Sequence, residues 1–179
     1  MHSLCMLTRY KAWADARLLS TIGTLSAEQL SAPQPIVFGS LIRTLNHVCA
    51  MDRVWRCHLL GEAHGLHSRN PEFCPPLGAL MREQHALNAW FVDYSDALSA
   101  PAWDAQVDFE FIGGGTGRLS RAEILLHVVN HASYHRGHMA DMLYRMQVSP
   151  PTTDLPVFLR EVAGVTGAGR RDASVQAER

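Results

Sequence analysis

The chain has 179 residues, of which 47% are hydrophobic and 18% charged, with a formal net charge of −1. These values suit one domain, with or without a tail. They exclude a chain too polar to build a core, and the absence of a basic surplus excludes a protein built to neutralise a phosphate backbone. No apolar run reaches membrane-spanning length, and "MHSLCMLTRYKAW" lacks a charged segment followed by a long apolar core. Neither a nucleic-acid nor a membrane partner is therefore expected, and the expected location is cytoplasmic. None of Cys5, Cys49, Cys57 and Cys74 forms a CxxC pair, so they are expected to be free thiols packed as small apolar groups.

Taken in chain order, the first helix is expected over Leu4 to Leu25, with Met6, Tyr10, Trp13, Ala14, Leu18 and Ile22 at helical spacing. "SAEQLSAPQP" then breaks it with two prolines. The second helix starts after Ser40, a good N-cap, and runs to Leu60 before Gly61. Residues 61 to 75 are too long for a tight helix–helix turn and predict a crossover between non-adjacent or parallel helices. The third helix spans Pro76 to Ser99.

Val107, Phe109 and Phe111 alternate with Asp108 and Glu110, which is strand period, and the glycines from 113 onward turn the chain into a short hairpin. "SRAE", Ser120 to Glu123, is a capping box that opens a fourth helix, which "SPP" stops near Gln147. A short helix is expected at Leu155 to Val162. The sum is an all-α four-helix bundle over residues 1–163, with a long crossover loop, a small β-hairpin before the last bundle helix, and a flexible tail over 164–179.

"LLHVVNHASYHRGH" holds four of the ten histidines, His127, His131, His135 and His138. With His127 at zero, His131, His135 and His138 fall at about 40°, 80° and 20° around the helix. Ile124 and Met142 share that side, so the stripe points towards the bundle interior. Neighbouring buried imidazoles cannot all be protonated, whereas a divalent ion takes them as neutral ligands. Residues four apart can converge on one ion; His127 and His135 are separated by a rise of about 12 Å and cannot easily do so. His131 belongs to both HxxxH pairs. The second helix offers His47 and His58 on nearly one face, with His47 deeper in the helix. His2, His64, His67 and His85 have no such pattern.

"NHASYHRGH" resembles the "nHxxxHRGQ" signature of the DinB/YfiT-like superfamily. "YKAWADARLL" is similar to that family's opening motif, "LNHVCAMDRVW" to its second-helix motif, and "PPTTDLPVFL" is typical of its end. The resemblance covers about residues 4 to 162. It implies a four-helix bundle, a homodimer, and a divalent metal, zinc or nickel, held by His47, His131 and His135. His127 and His58 then become neighbours or core residues.

Two positions depart from the family pattern. Asp15 stands where Asn is common, and His138 where Gln is usual. One turn past His135, His138 becomes the candidate catalytic residue, placed to move a proton. Among such relatives are enzymes that use a low-molecular-weight thiol. The resemblance therefore implies a metal-dependent thiol S-transferase or isomerase acting on a small-molecule substrate. The alternatives are a metal-dependent hydrolase and a non-catalytic metal-binding protein of stress response. Asp52 and Asn130 are candidates for orienting the histidines, Arg136 for an inter-helix salt bridge, and Tyr10, Trp13 and Trp55 for core aromatics.

Overall fold

The computed structural model describes residues 3–162; the expected tail over 164–179, the boundary at 163 and His2 lie outside them. The elements are α1 (Ser3–Ile22), α2 (Ala27–Ser31), α3 (Leu41–Leu60), α4 (Leu77–Ala97), a 3-10 turn at Ala100–Ala102, β1 (Gln106–Glu110), β2 (Thr116–Ser120), α5 (Arg121–Arg145) and α6 (Leu155–Glu161). No helix among them is long and apolar enough to cross a membrane.

The helix ends follow their caps. Ser40 Oγ accepts from the Arg43 amide, and Gly61 closes α3 in the left-handed region at φ 70°, where a side chain would be strained. Ser120 and Glu123 form the expected capping box. A second box, Ser26 with Gln29, starts α2, which the proline-rich context hides in the sequence. α1 ends at Ile22 rather than Leu25, because the amides of Thr24 and Leu25 turn back to the carbonyls three residues earlier.

α1, α3, α4 and α5 form the bundle, with α1 and α3 each packed against both α4 and α5. Pairs between helices set the directions. Cys49 bonds the Leu80 carbonyl and Arg56 lies over Trp90, so α3 and α4 run parallel. Cys5 bonds the Ser95 carbonyl and Asp15 meets Asn88, so α1 and α4 are antiparallel. The parallel pair requires the long crossover expected for residues 61–75. This loop runs back along α3: Leu66 packs on Ala50, Met51 and Val54, and Asn46 and Arg43 bond the carbonyls of Pro71 and Glu72.

The hairpin pairs Phe109 with Gly117 and crosses the end of the bundle, burying Phe109 edge-on to Trp55. A Cβ at Gly117 would stand 2.5 Å from the Phe109 ring, so the close approach requires glycine there. Phe111 has left the strand and is exposed in the turn.

The core has two apolar ends, one around Phe91, Ile124 and Leu125, the other around Leu19, Leu41 and Met142. Between them the inward face of α1 carries Thr8, Lys11 and Asp15, all buried, in register with Leu4, Leu18 and Ile22. Tyr10 and Trp13, expected to be core aromatics, are only half-buried and pack against Phe158 of α6. Trp55 is buried as expected, and the four cysteines are free, three of them buried.

A candidate metal centre between two helices

α3 and α5 lie antiparallel, and the middle turns of each face the other. His47 of α3 meets His131 and His135 of α5 there, and one nitrogen from each ring lies within 4.8 Å of the other two. The Nε2 atoms of His47 and His131 are 3.1 Å apart. That is close to the about 3.3 Å between ligand atoms of a tetrahedral zinc site with bonds of about 2.0–2.1 Å.

The His47 ring is set by its surroundings. Nδ1–H donates to the Arg69 carbonyl at 2.6 Å, which fixes the tautomer and leaves the Nε2 lone pair facing the cluster. Phe38 stacks on the ring with centroids 4.1 Å apart.

His47 and His135 are 5% and 4% exposed; His131 is half-buried. Burial pushes all three pKa values down. His131 falls to about 3, with His135, His47, His127 and Lys11 adding positive neighbours. His135 falls to about 4 through burial, then His47 and His138. His47 is lowered by burial against the opposing pull of the Arg69 carbonyl. All three are therefore neutral near pH 7, the state in which imidazole is a ligand. His135 Nδ1 is buried without a hydrogen-bond partner. A set of three neutral, under-bonded imidazoles could hold a metal ion, and it is the set that the family resemblance implies.

The other candidates are resolved by position. His58 leaves the cluster, packing against Trp55, His64 and Phe109. His127 is exposed and stacks on His131 at 5.7 Å. The stripe thus points only partly inward: His127 lies at the edge of the buried face that Ile124, Leu125 and Val128 form, with its ring against Trp55. His138 is half-buried, 5.3 Å from the His135 ring, with Nδ1 buried and unpartnered.

Asp52 does not orient a ligand; it accepts from Lys11 at 2.7 Å and from Gln84 at 2.7 Å. Asn130 is exposed, and the role in orienting a ligand falls to the Arg69 carbonyl. Arg136 makes the expected inter-helix salt bridge, to Asp15 at 2.8 Å. Phe38, Arg69 and Lys11 escaped the sequence reading. Of these only Lys11 left a signal, a lysine in phase with Leu4 and Leu18 on the buried face of α1.

A family model described as "DinB family" matches residues 1–167. The chain belongs to the DinB family. The chain is 25% identical over 165 residues to Protein DinB of Bacillus subtilis (strain 168), a match covering 86% of this chain and 91% of that protein. The fold of this family member is similar to the crystal structure of a DinB-like protein from Bacillus cereus ATCC 10987. That likeness has a TM-score of 0.63 at 18% identity and covers 80% of this chain and 91% of the other.

Proposed function

We propose that the protein is a divalent-metal-dependent enzyme of the thiol-using kind, an S-transferase or isomerase acting on a small molecule, with zinc or nickel at His47, His131 and His135. The observation that carries the metal is the 3.1 Å approach of two Nε2 atoms, one of them on a ring whose Nδ1–H is already committed to a carbonyl. Three ligands leave a coordination position open, the arrangement of catalytic rather than structural sites. A divalent ion there would supply Lewis acidity, favouring a thiolate at neutral pH.

The chain's own residues would do the rest. Arg69 holds His47 in orientation, Phe38 keeps water from its face, and His138 lies one turn from His135 to take the proton that the thiol gives up. The thiol itself comes from the family resemblance. A homodimer in the cytoplasm is part of the same proposal, and three buried free thiols accord with a reducing compartment.

Elemental analysis of the purified protein beside His47→Ala and His131→Ala tests the site. Metal should be present in the parent and lost in both variants; unchanged content in both would sink the reading. A generic electrophile offered with a panel of thiols then tests the chemistry. Turnover that needs both thiol and metal supports the transferase.

The second reading is a metal-dependent hydrolase. The orphaned His138 Nδ1 favours it, because a proton carrier serves water as well as a thiol. Metal-dependent turnover indifferent to thiol would select it, and metal without turnover would leave a binding protein.

A further inference from the structure

We propose that His127 is a transit site for the metal: an incoming ion is first caught by His127 and His131 at the surface and is then passed inward to His131, His135 and His47. The proposal rests on reading the triad as a metal centre. The four rings form a gradient of exposure, with His127 exposed, His131 half-buried, and His47 and His135 buried. Aromatic rings lie against the two buried ligands. Phe38 lies on the His47 face at 4.1 Å and 5.7 Å from His135, and Tyr134 stands edge-on to His135 at 5.0 Å. His131 is the least buried of the three ligands, and the exposed His127 ring stands beside it.

The outer pair has the i,i+4 spacing at which two helix side chains can reach one ion. His127 and His131 are one turn apart on α5, with rings 5.7 Å apart and nearly parallel at 29°. Inside the triad the corresponding separations are 5.1 Å, 4.7 Å and 4.5 Å. Two imidazoles at this spacing on a helix bind a divalent ion weakly. His131 is the member common to both pairs, so an ion can exchange His127 for a buried ligand without becoming fully rehydrated. His127 cannot join the final set, because its rise along α5 separates it from His135 by about 12 Å.

A residue that acts only on the path changes both rates and leaves the affinity alone. Zinc uptake by the full chain, followed with a competing chromophoric indicator, and zinc release to excess chelator give the two rate constants; equilibrium competition gives the affinity. In His127→Ala, and in His127→Gln as a variant that keeps a polar side chain, association and dissociation should both slow by about tenfold with an unchanged dissociation constant. His85→Ala, an exposed histidine on α4, should change neither rate.

Rates within about twofold of the parent would overturn the proposal. So would a weaker equilibrium affinity, which would make His127 a resident ligand. Failure of the triad itself looks different: no zinc bound by the parent, or binding insensitive to His47→Ala, would overturn both readings.

Discussion

Two clusters of polar side chains lie in the middle of this bundle, and they differ in how completely they satisfy themselves. The first joins α1, α3, α4 and α5. Lys11 donates to Asp15, Asp52 and Asn88, while Arg136 donates to Asp15 and Ser133. Its two cations balance its two carboxylates. The second, His47, His131 and His135, carries no charge near neutral pH and has more nitrogen lone pairs than donors to meet them. A closed polar cluster fixes a packing arrangement, whereas an open one implies a ligand. The two clusters are adjacent, since Arg136 follows His135 directly.

Removing the hub of the closed cluster should have the largest effect. Lys11 is fully buried. Burial alone would lower its pKa, but Asp15 and Asp52 hold it above the usual lysine value. Lys11→Met leaves Asp52 without its ion-pair partner and Asp15 with Arg136 alone, and should cost about 3–5 kcal/mol in denaturant unfolding. A cost under about 1 kcal/mol would show that the cluster is less closed than its geometry implies.

The two carboxylates should then separate. Burial raises both pKa values, yet Lys11 and Arg136 together bring Asp15 below normal, while Asp52, with one cation and an unpartnered Oδ1, stays above. Asp15→Asn should therefore cost about 3 kcal/mol and Asp52→Asn about 1–2 kcal/mol, read as shifts in urea midpoint. Asp15 is also one of the two positions at which this chain departs from the family pattern. Arg136 and Lys11 are what make the negative charge tolerable there.

These two clusters also divide what a sequence can show. The open one was legible, because histidines four apart on one helix have no ordinary structural use, and family motifs chose His47 over His58. The closed one was not. Lys11 and Asp15 look like surface residues until the inward face of α1 is known, and the sequence pattern favoured Tyr10 and Trp13, which α6 covers instead. Helix caps at Ser40 and Ser120 announced themselves locally. The orienting group for His47 is a backbone carbonyl in the crossover loop, and no residue type encodes a carbonyl.

The open cluster answers to pH. His131 and His135 have folded pKa values of about 3 and about 4, below the 6.5 of the unfolded chain. Below pH 6.5 the unfolded chain takes up protons that the folded protein refuses, so stability falls as pH drops towards the folded values and is flat above 6.5. Metal-free protein should lose about 3–4 kcal/mol between pH 7 and pH 5 in urea titrations, roughly 2 kcal/mol for each of the two rings. Insensitivity over that range would mean that these imidazoles are solvated after all.

The smallest effect is the most discriminating. Without metal, His131→Ala removes a ring whose one hydrogen-bond contact is another imidazole nitrogen, so at pH 7.5 it should shift stability by under about 1 kcal/mol. At pH 5 the order should invert, with the variant more stable than the parent, because one of the two refused protons is gone. Zinc should widen the gap in the opposite direction: at about a hundredfold excess over the dissociation constant the parent gains about 2.7 kcal/mol and the variant nothing. A closed cluster cannot give that pattern, since removing a member from it costs stability under every condition. If His131→Ala destabilises the metal-free protein by as much as Asp15→Asn does, the histidines are a second structural cluster.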